Sequence, residues 1–225
     1  MMLIKHTLKR SFIQPAMGLI LFLLPIALVF VPLQENMLPN SIYLYGMIIL
    51  FTAFMLCKSI VEERQNNIAV RIASSPTSYS QYLWTHLIAY LVILMIQNGI
   101  FLTGIALYFP GMEINYLLIM SLYIIFDILS ITFSLFWNSL FKTYTLAFSL
   151  YTGFVSVLCL ITGISMPLRL IPENIQRIIV VFPTYWLPYG LDAYVSDNIG
   201  DVGIAMAVLL AFSAIFFAIS SRKRF

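Results

Sequence analysis

Residues 58–82 read KSIVEERQNNIAVRIASSPTSYSQY and lie between two apolar runs, Ile42 to Cys57 and Leu83 to Tyr108. The stretch is too polar to cross a bilayer, yet it carries a pattern. On a helix Val61, Gln65, Ile68 and Ile72 share one face, while Glu62, Glu63, Asn66, Asn67 and Val70 turn away from it. This spacing predicts a surface helix with an apolar grip on the membrane. Ser74, Ser75 and Pro76 end it, because proline pushes the residue before it out of the α region and cannot donate the next backbone hydrogen bond. A turn then leads into a membrane helix starting at Leu83.

Composition fixes the class. Of the 225 residues 61% are hydrophobic and 9% charged, with a mean hydropathy of +0.97. These values exclude an ordinary soluble domain. Lipid offers backbone amides no partner, so a crossing helix needs about 20 mostly apolar residues. Six stretches qualify: Ala16 to Leu33, Ser41 to Cys57, Leu83 to Tyr108, Tyr116 to Trp137, Tyr144 to Ile164 and Val202 to Ser220. The first follows Lys5, Lys9 and Arg10 as a signal peptide would, but no clear small-residue cleavage site comes after it, and it is read as a retained helix. The expected fold is all-α and integral to the membrane, a single domain over residues 1–225.

Basic residues near helix ends resist translocation. With both termini inside, Lys5, Lys9, Arg10, Lys58, Arg64, Arg71, Lys142, Arg222, Lys223 and Arg224 are cytoplasmic, and of the twelve basic residues only Arg169 and Arg177 are outside. Glu35, Glu113, Glu173, Asp192, Asp197 and Asp201 are outside, and Asp127 lies within a span. The net charge of +3 therefore follows from topology and does not point to nucleic acid. Cys57 and Cys159 fall in or beside apolar segments and read as small buried hydrophobes.

Along the chain, residues 1–15 place Ile4, Leu8 and Phe12 on one helical face and the basic residues elsewhere, which suits either an interfacial helix or a basic flank that only sets orientation. The third span carries Gln97, Asn98, Gly99, Thr103 and Gly104, a helix-packing face first and a pathway-lining face second. The fourth carries Asp127. A carboxylate within a membrane is costly, so it either serves transport or ties helices together, with Ser130, Thr132 and Ser134 near it on its own helix. Residues 138–143 form a short inside turn. Between the fifth and sixth spans Pro167, Pro172, Pro183 and Pro188 cut the backbone into pieces too short to cross. Residues 165–200 are expected to dip into the outer leaflet as a broken hairpin packed against protein. Tyr185, Trp186, Tyr189 and Tyr194 suit an interfacial aromatic belt.

Two of these regions resemble the ABC-2 type transporter permeases, the membrane subunits of one class of ABC exporter. In the first cytoplasmic loop of that family an acid-rich helix is followed by an arginine, a Ser-Pro turn and a tyrosine or similar residue. Glu63, Arg71, Ser75, Pro76 and Tyr82 stand at those places, with Asn67 where a glycine is usual. Before the last span the family carries a glycine, two prolines, a short helix and a proline closely followed by an aromatic. Gly163, Pro167, Pro172, Pro183 and Tyr185, or Trp186 next to it, follow that order.

The resemblance implies a permease subunit that works with a second permease copy or a sister subunit and two ATPase subunits, in the bacterial cytoplasmic membrane. It implies that Glu63, Arg64, Arg71, Ser75 and Pro76 couple the permease to the ATPase, and that the hairpin from Pro167 acts as an outer gate. The chain contains no Gly-Lys pair, so no Walker-type lysine can reach a nucleotide phosphate. No cofactor is expected on this chain, and ATP with Mg belongs to the partner ATPase. His6 and His86 lack a neighbouring ligand or base, which disfavours a metal site or a nucleophilic dyad. The expected cargo is hydrophobic or amphipathic, a drug or an antimicrobial peptide. The chief rival is a proton-coupled secondary transporter that uses Asp127, and a membrane enzyme ranks last for want of paired catalytic residues.

The topology has a direct test. With the two native cysteines replaced, a cysteine placed at Ser75 is expected to react with a membrane-impermeant thiol reagent in inverted vesicles and to stay unlabelled in whole cells; labelling from outside would overturn the assigned orientation.

Overall fold

The computed structural model describes residues 23–30, 38–65, 79–111, 114–165 and 171–222, with the side chains of 62–65, 79–80, 173, 176 and 222 left aside. These residues are helical or form short connections, with no strand among them. Helix α1 covers residues 23–29. Then come α2 (Asn40–Leu56), α3 (Lys58–Gln65), α4 (Tyr79–Tyr108), α5 (Tyr116–Asn138), α6 (Tyr144–Ile161), α7 (Glu173–Ile179), a 3-10 turn (Pro183–Tyr185), α8 (Trp186–Val195) and α9 (Ile199–Arg222).

Five stretches among the described residues are long and apolar enough to cross a membrane: Asn40–Val61, Gln81–Tyr108, Tyr116–Asn138, Tyr144–Ile161 and Ile199–Ser221. They correspond to the expected second to sixth spans. Of the expected first span the structure describes α1 and Phe30, and the N-terminal interfacial segment lies outside the described residues. Three boundaries differ from the expectation: α6 ends at Ile161, not Ile164, and two helices start early. Helix α4 is already formed at Tyr79, not Leu83, and α9 begins at Ile199, not Val202. In both cases the helix continues past its apolar run, because a helix satisfies its backbone amides within itself whether its side chains face lipid or the polar interface.

Helix α5 is the centre of the bundle and packs against α2, α4, α6, α8 and α9. Its Leu122, Tyr123, Phe126 and Leu129 join Ile42, Tyr45, Ile49, Leu50 and Phe54 of α2 in one buried core. Two tyrosines fasten α2 to its neighbours: the Tyr123 hydroxyl donates to the Ile42 carbonyl at 2.8 Å, and the Tyr151 hydroxyl to the Leu50 carbonyl at 3.0 Å. By contrast α6 turns Leu146, Leu150, Phe154, Val157 and Leu160 outward. An apolar exterior of this kind suits lipid or another membrane helix, not water.

Helices α7 and α8 form the connection before α9. Gly163, at φ 91°, takes the left-handed conformation that lets the chain leave α6, and the Ser165 amide reaches back to the Cys159 carbonyl at 2.9 Å. Pro172 precedes α7 and Pro183 opens the 3-10 turn, both positions that need no amide donor. Helix α8 then wedges into the bundle. Leu187 lies directly against Gly46 of α2, where a Cβ would collide with it. At Gly190 a Cβ would come within 3.2 Å of Leu122 on α5 and 3.1 Å of Ala205 on α9. Small residues at these two points let the helices close.

Candidate functional site

The polar residues of the spans meet at the junction of α2, α4 and α5. Asn98 and Asp127 have no solvent-exposed surface. The Asn98 Nδ2 donates to Asp127 Oδ2 at 2.7 Å, and Asn98 Oδ1 accepts from the Tyr45 hydroxyl at 2.8 Å. The Tyr45 ring is stacked flat on Phe101, with centroids 3.9 Å apart and planes 9° apart, which fixes where its hydroxyl points. Gln97, next to Asn98 on α4, donates at 3.3 Å to the Thr52 hydroxyl, about two turns beyond Tyr45 on α2. Asp127 Oδ1 and Gln97 Oε1 have no hydrogen-bond partner among the described residues. This is a helix tie, built from amide and hydroxyl groups facing one another across three spans.

The hydroxyls flanking Asp127 do not contribute to it. Ser130 and Thr132 bond back to carbonyls of their own helix, at Phe126 and Ile128, and Ser134 lies 3.5 Å from the Tyr151 hydroxyl. Tyr45 went unrecognised in the sequence. Its signal is a tyrosine set among Ile, Leu and Met in a membrane span, whose hydroxyl needs a partner once buried.

A second cluster joins α3 to the bundle. Helix α3 follows α2 after only Cys57; Ile60 is buried with Leu83, Leu87 and Tyr90 of α4, and Val61 beside it is buried too. Ser59 Oγ lies 2.6 Å from the Tyr90 hydroxyl, which in turn lies 3.1 Å from His86 Nδ1. On the other side the Lys58 ammonium sits 5.5 Å from the centre of the Tyr144 ring at the start of α6. The base of α3 is thereby held between α4 and α6. Glu63 and Arg64 lie on α3, whereas Arg71, Ser75 and Pro76 lie outside the described residues. The structure therefore positions the first part of the expected coupling segment and leaves its turn aside.

At the opposite end of the bundle the Tyr43 hydroxyl donates to Asp192 Oδ1 at 2.6 Å, linking α2 to α8. Of the hairpin residues, Gly163, Pro172 and Pro183 mark the breaks described above, Tyr185 is buried against Ile171 and Ile179, and Pro167 lies outside the described residues. The Trp186 indole donates to the Val180 carbonyl at 3.0 Å and closes the turn between α7 and α8. Burial first, then Tyr189 and Asp192, push the Tyr185 phenol above its ordinary range, and for Tyr189 partial burial and the nearby Asp201 act in the same direction. Both phenols stay neutral at physiological pH.

The tie can be tested by stability. Asp127→Leu strands the Asn98 amide in the core and is expected to cost about 1–3 kcal/mol, whereas Asp127→Asn, which still offers an acceptor oxygen, costs less. Asn98→Leu, which strands both Tyr45 and Asp127, costs more than either. In thermal unfolding of the purified protein the Asn98→Leu/Asp127→Leu pair should lose less than the sum of the single losses; strict additivity would show that the two residues do not interact.

No curated protein matches the chain. The family of ABC-2 family transporter proteins matches it over residues 34–222, which takes in the core, α3 and the hairpin. Five span-length apolar helices among the described residues suit a multi-pass membrane protein, and the chain belongs to the ABC-2 family of membrane transporter permeases.

Proposed function

We propose that this chain is the membrane half of an ATP-driven exporter, paired with a second permease copy or a sister subunit and served by two ATPase subunits that carry ATP and Mg. The observation that carries this reading is the attachment of α3, a polar helix that continues span 2 and is held at its base by Ile60, Ser59 and Lys58. A force applied to such a helix moves the bundle. An ATPase that contacts it differently in two nucleotide states would shift the permease between two arrangements. Glu63, Arg64, Arg71, Ser75 and Pro76 are the proposed contacts, with charges to pair with the ATPase and a turn to set the angle of the helix.

In this reading both termini are cytoplasmic, the expected first span completes a set of six, and the 165–200 hairpin is re-entrant and gates the outer side. The depth of α8 supports that: Leu187 lies against Gly46, Phe126 stands beside the same glycine, and Phe126 lies ten residues into α5, about 15 Å along its axis. The cargo route runs between the permeases along α2 and α6. The half-buried Met47, Ile48 and Phe51 of α2 and the outward row on α6 are apolar, in keeping with hydrophobic or amphipathic cargo. For the rival proton carrier, only the unpartnered Asp127 Oδ1 speaks in favour. Proton exchange requires access, and Asp127 has no exposed surface.

Co-expression with the ATPase gene beside it is expected to yield a complex in gentle detergent whose ATP hydrolysis depends on the permease. Glu63→Ala and Arg71→Ala should weaken that dependence several-fold or release the ATPase, while Asp127→Asn keeps it. Full coupling in the first two variants would remove α3 from the mechanism. Transport that persists without any ATPase and disappears in Asp127→Asn would establish the proton carrier instead.

A further inference from the structure

A cleft of about 480 Å3 opens where α5 and α9 begin, walled by Ile114, Leu118, Tyr194, Ile199 and Val202, with Asp197 at its mouth. Its size falls within the usual range for small-molecule sites, roughly 300–1,000 Å3. Both flanking candidate spans start here, at Tyr116 and Ile199, so a bilayer crossed by them would have its boundary at the cleft, with apolar layer on one side and water on the other.

The polar groups around it decide what it can hold. Two helix N-termini open onto the cleft, and both are already capped. Asn115 Oδ1 accepts from the Leu118 amide at 3.2 Å, and Asn198 Oδ1 accepts from the Asp201 amide at 3.3 Å. The Asn115 amide is taken by the Tyr194 hydroxyl at 2.6 Å, and the Asn198 side-chain amide by Asp201 Oδ2 at 2.6 Å. Little donor capacity remains for an anion. Asp197 is the one charged residue among those lining the cleft; it is exposed, and its carboxylate makes no hydrogen bond or ion pair among the described residues. A second carboxylate, Asp201, stands behind Asn198. The wall offers negative charge, the ring of Tyr194 and an apolar floor.

We propose that this cleft binds a single-tailed amphiphile with an ammonium head, the head paired with Asp197 and faced by the Tyr194 ring, the tail lying along Leu118, Ile199 and Val202. Charge complementarity selects the head. The volume, enough for a head and the beginning of one chain, selects one tail. The inference goes beyond the proposed function, since the cleft lies at the starts of α5 and α9 and away from the route along α2 and α6; its outward placement rests on that reading, but the binding does not.

The test uses the whole chain in maltoside micelles and a dodecylamine carrying a photoreactive group in its tail, with the matching alcohol and sulfate as controls. Labelling by the amine is expected within residues 114–118 and 194–202, well above either control. Asp197→Asn should reduce it about tenfold, the scale of one charge-assisted contact. Asp197 has φ 54°, and asparagine tolerates that conformation, so the variant retains the turn. Unlabelled dodecylamine should compete and phosphatidylethanolamine should not. Equal labelling by amine, alcohol and sulfate, or no change in Asp197→Asn, would overturn the site, and equal competition by the phospholipid would overturn the single-tailed assignment. No ATPase is needed for this experiment, so its failure leaves the exporter reading intact, and loss of ATPase coupling leaves this site intact.

Discussion

The bond from Asn98 to Asp127, held on its far side by Tyr45, is the interaction on which the rest of the bundle depends. Apolar side chains pack as well against lipid as against each other, so hydrophobicity alone cannot tell a membrane helix which neighbour to choose. Polar groups can. Leaving an amide or a carboxyl without a partner in an apolar medium costs several kcal/mol by the order of magnitude of transfer measurements. One asparagine that meets a tyrosine on one side and an aspartate on the other therefore specifies how α2, α4 and α5 stand together. The packing of Tyr45 on Phe101 and of Tyr123 against the Ile42 carbonyl then follows from that placement.

Both ends of the molecule are attached to this centre. On one side α3 leaves α2 after a single residue and is wedged between α4 and α6, so its base cannot turn freely. On the other, α8 enters the bundle at Gly46 and Gly190, where glycine lets helix approach helix, and is pinned to α2 through Tyr43 and Asp192. Helix α2 is common to both attachments. In the proposed mechanism it carries a displacement from the ATPase side to the outer hairpin as one body, and the apolar row along α6 is where such a body would slide against its partner.

The spans were legible in the sequence because the demand for about 20 apolar residues leaves few ways to place them. The hairpin breaks were legible at Gly163, Pro172 and Pro183 for a related reason: these residues act on the backbone directly, through a left-handed φ and a missing amide. Asp127 and Asn98 stood out one by one, since polar groups within a span are rare, but nothing in a helical period says which span faces which. Their meeting, and the part of Tyr45, had to come from the fold. The ends of α4 and α9 were misplaced by a few residues because hydropathy marks the lipid boundary, whereas the helices run on through it. The cleft at Asp197 was out of reach altogether. It forms between residues such as Asn115 and Tyr194, 79 positions apart in the chain.

Whether each protomer moves as one body can be measured by electron-spin distances in the assembled complex. Labels at Gln81, near the α3 side of α4, and at the exposed Leu117, near the far end of α5, within one otherwise unlabelled complex report the interior of a protomer. Labels at Leu117 in both permeases report the distance between them. If each protomer moves as one body, trapping the ATPase in its ATP-bound state changes the second distance and leaves the first unchanged. A change in the first distance, with the second constant, would contradict it.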